Sequence, residues 1–233
     1  DSGERRSRGR DRESEGRHAG NVNRHRSRHS LNCRGVVVSS LQSLLRTVVL
    51  TARRALGLPA LLHTEDRRIL EQVILPEYAR RRDIARVLFV GCAAYTQRYG
   101  EIFDGREYWT IDPVARLRRY GSERHIVDHL QNLGTHVPPG YFDLVVCNGV
   151  LGWGLNAPED ANAALAACHT HLRAGGDLLL GWNDIAPRNR VLPETIPALR
   201  RFDAALLGSW QVARWAIDAP NRHVFDFYRK PLK

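Results

Sequence analysis

Five residues, Asp218-Ala219-Pro220-Asn221-Arg222, are all that separate the last two strand-like runs of this chain, at residues 210–217 and 223–228. Parallel neighbours need a crossover of a dozen residues or more, so these two runs must form an antiparallel hairpin. Ahead of the hairpin the pattern differs. Residues 86–92 (RVLFVGC) contain a short unbroken apolar run bounded by glycine, as expected of a strand buried on both faces of a parallel sheet. Strand and helix then alternate. Strands are expected at 108–111, ending in Asp112-Pro113, at 125–127, ending in Asp128, and at 142–147 and 177–182. Ala164, Leu165, Cys168 and Leu172 recur at helical spacing, which predicts a helix over about residues 158–172 that Arg173-Ala174-Gly175-Gly176 stops. A last helix is expected near residues 193–207. Together these make an α/β fold, a Rossmann-like doubly wound sheet, mostly parallel, closed by one antiparallel strand.

The 233 residues suit one such domain with an extension rather than two full domains. Residues 1–34 hold ten arginines against five acids and no apolar periodicity, so a disordered tail is expected there. Residues 36–58 read as a helix, apolar around most of its circumference and ended by Gly57 and Pro59. Packing on the domain and weak contact with a membrane surface both fit such a helix. Thr64-Glu65-Asp66 reads as a helix start, with a capping oxygen and acids beside the positive dipole end. That helix is expected to run toward Arg82, bent at Pro76. The chain thus divides into a tail (1–34), N-terminal helices packed on the domain (35–85) and the domain itself (86–233).

The net charge of +10 comes from 35 basic residues, of which only Lys230 and Lys233 are lysines. Such an arginine excess looks like coding bias, so it is weak support for nucleic acid, although the basic tail keeps a nucleic-acid partner open. Four cysteines without paired spacing point to a reducing, cytoplasmic setting rather than disulfides. No membrane span is expected, because Arg46 interrupts the apolar stretch 35–52. His125, His129 and His136 stand near Asp128 but match no zinc spacing, so no metal is expected. No pattern specifies an oligomer.

In doubly wound sheets ligands sit beyond the carboxyl ends of the strands, where the winding reverses. That edge collects Gly91-Cys92-Ala93-Ala94, Asp112, Asp128 and Asn148-Gly149. Asp112 follows Gly91 by 21 residues, the separation at which an acid on the second strand meets ribose hydroxyls.

The ordered segments VLFVGCAAY, TIDP, IVDHLQNL, FDLVVCNGVLGWGL and LRAGGDLLLGW make residues 86–230 resemble the class I S-adenosylmethionine-dependent methyltransferases. The resemblance implies seven strands in the order 3-2-1-4-5-7-6. It implies that Gly91, Cys92 and Ala93 pass under the methionine and ribose, and that Asp112 binds the ribose hydroxyls. Asp128 and His129 would flank the adenine, and Asn148 and Gly149 would form the lip where the methyl group emerges. Phe89 stands where the family commonly has an acid, and Ala93 and Tyr95 where it commonly has glycines. The missing glycines argue against a dinucleotide, whose pyrophosphate must rest on that loop.

Methyl transfer needs alignment and exclusion of water more than a catalytic side chain. Where the acceptor must lose a proton, Asp184 is the candidate base. Trp153 and Trp182 fall at the same edge, where they either line an acceptor pocket or simply pack. Gly149-Val150-Leu151 lacks the Pro-Pro-aromatic run that follows Asn148's counterpart in amino-methylating enzymes, which favours a small-molecule acceptor. The expectation is methyl transfer to such an acceptor. A catalytically silent binding or scaffold protein, and an RNA-modifying enzyme that uses the basic tail, are the alternatives.

Overall fold

The computed structural model describes residues 64–186 and 189–233. The expected tail at 1–34 and the expected helix at 36–58 lie outside the described residues. The described chain forms one eight-stranded sheet: β1 (Arg86–Val90), β2 (Glu107–Ile111), β3 (Arg124–Ile126), β4 (Phe142–Asn148), β5 (Leu172–Asn183), β6 (Asp203–Ala204), β7 (Arg214–Ala216) and β8 (His223–Arg229). The order is β3-β2-β1-β4-β5-β8-β6, with β7 also pairing with β8. The first five strands are parallel. β8 runs antiparallel to β5 from Asp177↔Arg229 to Asn183↔His223, and it pairs antiparallel with β7 as the short link required, although β7 covers only residues 214–216 of the expected 210–217.

The unbroken apolar run of β1 feeds both faces, since successive side chains on a strand point opposite ways. Leu88 and Val90 join Val145, Cys147, Leu178 and Leu180 in one core, and Val87 and Phe89 join Leu144, Val146, Leu179, Phe225 and Phe227 in the other. The first core is capped by a helix spanning Pro158–His171, whose Ala161, Ala164, Leu165 and Cys168 are fully buried. These recur at i, i+3, i+4 and i+7, a single apolar stripe. Pro158 starts that helix, where its missing N–H costs nothing, and Glu159 and Asp160 face the positive dipole end.

The second core is capped by the N-terminal helix, which has three parts. α1 (Glu65–Ile69) passes through a wider π turn (Leu70–Ile74) into α2 (Leu75–Arg80). The widening comes just before Pro76, whose ring has no N–H to donate and would collide with the carbonyl four residues earlier in a regular helix. Where a bend is expected at Pro76, the structure has this π turn directly before the proline. Thr64 departs from expectation, because its side chain makes no capping bond; its backbone oxygen accepts the Arg68 N–H instead. The remaining helices are α3 (Tyr99–Ile102) and, in chain order, α4 (Pro158–His171).

Three other expectations are corrected. The sheet has eight strands rather than seven, the addition being the two-residue β6. β5 begins at Leu172, directly after α4, and not at Asp177. Phe142 pairs with Leu172 but Leu144 with Asp177, so the Gly175-Gly176 segment bulges out of the ladder rather than separating helix from strand. No continuous helix fills 193–207; the segment is two short 3-10 turns, Pro193–Thr195 and Pro197–Arg201, followed by β6. Pro197 forces Ile196 into an extended backbone (φ −89, ψ 112), which breaks the helix in its middle.

Candidate functional site

The carboxyl ends of β1, β2, β3 and β4 open into a cavity of about 310 Å³, a size typical of small-molecule sites. Gly91, Cys92, Ala93, Asp112, Asp128, His129, Asn148 and Gly149 all line it. Thus the eight residues expected to hold the cofactor, scattered over about 60 positions of sequence, border one space.

At Gly91 the chain leaves β1 with φ +84, and an added Cβ would sit 3.3 Å from Val150 Cγ1. Only glycine makes that turn without strain. The loop beyond is held by Asp112, which is 6% exposed: Oδ2 accepts the Cys92 N–H at 2.8 Å and Oδ1 accepts the Val114 N–H at 2.8 Å. A carboxylate offers about four lone-pair directions, so both oxygens retain capacity for a ligand hydroxyl. Ala93 and Tyr95 do not have positive φ, so the backbone here never asks for the family's glycines. Ala93 donates its N–H to Thr96 Oγ1 at 3.0 Å, and the Tyr95 ring lies under the Arg67 guanidinium at 4.3 Å. Phe89, where an acid is common, is a core side chain packed edge-on against Tyr99.

Restoring both glycines, Ala93→Gly with Tyr95→Gly, is therefore expected to leave S-adenosylmethionine binding no tighter than in the parent. The change adds backbone entropy to be lost, roughly 0.5 to 1 kcal/mol per site, and removes the ring beneath Arg67. Tighter binding by the double variant in calorimetry would show a decayed loop instead.

Asp128 closes the far end. It accepts bonds from Asn132 Nδ2 and the His129 N–H, and pairs with His136 Nε2 at 2.8 Å. The His136 bond, then those from Asn132 and His129, hold its carboxyl down at about 2. At the lip, Asn148 is 7% exposed and its Oδ1 meets His223 Nε2 at 3.0 Å. Burial pushes His223 down to about 4, so its imidazole is neutral at pH 7. Its usual value is near 6.5, so between pH 6.5 and 4 the unfolded chain takes up a proton that the folded chain refuses, and stability falls with acidification. Asp128 adds a second loss as pH drops from about 3.8 toward 2. Melting temperature is expected to decline through both windows, with a shallower first decline in His223→Gln. Equal slopes in parent and variant between pH 6.5 and 4 would remove His223 from that account.

Asp184 is not brought to the cavity. Its carboxylate pairs with Arg222, and its N–H donates to the Arg222 carbonyl. Of the two tryptophans, Trp153 lines the cavity and is 60% exposed. Trp182 lies within β5, 3% exposed, with Nε1 donating to Asp226 at 2.8 Å, so it is a packing residue. Arg67 lines the cavity too, and sequence reasoning missed it. It is 8% exposed, and one guanidinium nitrogen donates to Tyr99 Oη at 2.9 Å. The signal that pointed to it was weak: an arginine in the first turn of a helix, where the dipole disfavours a cation. Among the described residues no group of three or more His, Cys, Asp or Glu is arranged to hold a metal ion, and no helix is long and apolar enough to cross a membrane.

A mostly parallel sheet in this order, with a reversed strand beside β5 and a glycine turn facing an acid at the end of β2, defines the class I methyltransferase fold. Residues 88–180 match the family model described as a methyltransferase domain. The sequence of that stretch is thus similar to methyltransferase domains, and the fold around it is that of the class I S-adenosylmethionine-dependent methyltransferases. No curated protein matches the chain in sequence. In solved structures it is similar to the N-methyltransferase NodS from Bradyrhizobium japonicum WM9, at 17% identity over 73% of this chain and 99% of that one, with a TM-score of 0.56. The same enzyme in complex with S-adenosyl-L-homocysteine gives 17% identity over 72% and 89%, with a TM-score of 0.54. The PH0226 protein from Pyrococcus horikoshii OT3 gives 13% identity over 72% and 92%, with a TM-score of 0.53.

Proposed function

We propose that the cavity holds S-adenosylmethionine and that the protein methylates a small molecule. The observation that carries this is the convergence of Gly91, Asp112, Asp128 and Asn148 on one cavity from four successive parallel strands. Asp112 would take the ribose hydroxyls, Asp128 and the His129 segment the adenine, and Asn148 and Gly149 the methyl end. Arg67, a permanent cation facing the cavity, suits the carboxylate that ends the cofactor's methionine. When bound, the cofactor supplies an activated methyl group on a sulfonium. The chain's own part is to orient it, to exclude water and to present the acceptor in line.

A small acceptor is favoured by the mouth itself. Gly149, Val150 and Trp153 give it an apolar rim with few polar groups, as small-molecule sites have. The test is to incubate the protein with methyl-labelled S-adenosylmethionine and cell extract split into metabolite, RNA and protein fractions. Label is expected in the metabolite fraction. Label confined to RNA would support the RNA-modifying alternative, and no transfer by protein that binds the cofactor would support the silent one.

A further inference from the structure

At the lip, the polar side chain of Asn148 has its direction fixed from behind. Its Oδ1 meets His223 Nε2 at 3.0 Å, in a place where Asn148 is 7% and His223 3% exposed. Oxygen facing nitrogen is a hydrogen bond only when the proton sits on Nε2, so His223 donates and Asn148 accepts. The sheet is shaped around this pair. A Cβ on Gly181, the β5 partner of Asn148, would fall 1.7 Å from Asn148 Oδ1 and 2.9 Å from His223 Nε2, so only glycine leaves room for it. The other end of the carboxamide, Nδ2, has no partner among the described residues and is not shut away from solvent. Asn148 borders the cavity, and with Oδ1 held from behind by His223 the Nδ2 end is the one left for a ligand.

We propose that His223 is a positioning residue that sets Asn148 as a hydrogen-bond donor at the lip, and that the methylated atom is accordingly an anionic oxygen. This rests on the cofactor reading above. An amine nucleophile has one lone pair, which must point at the methyl carbon, so its N–H groups need protein oxygens around them, and a lip that offers N–H competes for that pair. A carboxylate or phenolate oxygen has lone pairs enough to accept from Asn148 with one and attack with another. In the transfer the O–CH3 bond forms as the S–CH3 bond breaks. The electron pair of the broken bond stays on sulfur, which becomes a neutral thioether, and the oxygen loses its negative charge. No proton moves, which agrees with a lip of Asn148, Gly149, Val150 and Trp153 that holds no carboxylate or imidazole, and with an Asp184 engaged by Arg222.

Two cofactor analogues test this without the acceptor. S-adenosylhomocysteine places nothing at the methyl position, whereas sinefungin places an ammonium there. Facing an N–H donor, the parent is expected to bind sinefungin no tighter than S-adenosylhomocysteine in calorimetry. In His223→Leu the carboxamide is free to turn its oxygen to the ammonium, and the affinity ratio is expected to shift toward sinefungin by about tenfold or more. His223→Gln, which keeps an N–H donor near the Nε2 position, is expected to keep the parent ratio. Tighter sinefungin binding by the parent would overturn the proposal, as would an unchanged ratio in the leucine variant. The parent comparison needs no variant and stands even where His223→Leu fails to fold. If the parent binds neither analogue, the cofactor reading itself fails; if it binds S-adenosylhomocysteine and only the ratios disagree, the oxygen assignment alone fails.

Discussion

Asp112→Ala is expected to weaken binding of S-adenosylhomocysteine by at least tenfold while the protein stays folded. Two contributions add. A buried carboxylate accepting a ribose hydroxyl gives about 1.5 to 3 kcal/mol per charged hydrogen bond, and 1.4 kcal/mol is already a factor of ten. The same carboxylate also holds the Cys92 and Val114 N–H groups, so its loss releases the loop that the cofactor would rest on. Asp112→Asn is expected to fall between parent and alanine, because an amide still offers one acceptor oxygen. Calorimetric titration reads both effects, and unchanged affinity in a folded Asp112→Ala protein would remove the residue from the site.

The second large effect belongs to the opposite edge of the sheet and to stability. Asp177 is 1% exposed at the start of the core part of β5, where its carboxylate receives Arg81 from the residue after α2 and Arg229 from the end of β8, the latter at 2.7 Å. It thereby ties the N-terminal helix to the reversed strand. Removing one partner of a buried ionic group costs about 3 to 5 kcal/mol where the survivor is also buried. Both arginines here keep some contact with water, at 27% and 44% side-chain exposure, so about 3 kcal/mol is the expected loss for Asp177→Ala. For a domain of this size that is roughly 6 to 12 °C in melting temperature. A shift of only one or two degrees would mean that the two arginines re-pair without it.

Most of the sheet was legible because its physics is local. The apolar run of residues 86–92 needed no context to read as a doubly buried strand, and a five-residue link has no option but a hairpin. The register of the sheet edge was legible for the same reason: Asp112, Asp128 and Asn148 each terminate a strand, and parallel strands in this order bring their ends together. The misreadings have two kinds of cause, a tertiary contact in one segment and an overlooked local one in the other. Arg173 to Gly176 has the composition of a helix stop, yet Asp143 accepts a bond from Arg173 Nε at 2.7 Å and ties the bulged segment to β4. Residues 193–207 carry helix-forming side chains, but two prolines four positions apart leave no full helical turn between them. Arg67 and His223 were invisible as site residues, since one owes its place to the packing of α1 across the sheet and the other to the return of β8 beside β5. Neither placement has a sequence spacing that announces it.

The central claim, that the cavity at the ends of β1 to β4 takes the cofactor, is tested most directly by titrating the unaltered protein with S-adenosylhomocysteine in a calorimeter. The expected result is saturable heat fitting one site per chain, accompanied by a rise in melting temperature with ligand concentration. No heat and no thermal shift at millimolar ligand would contradict it.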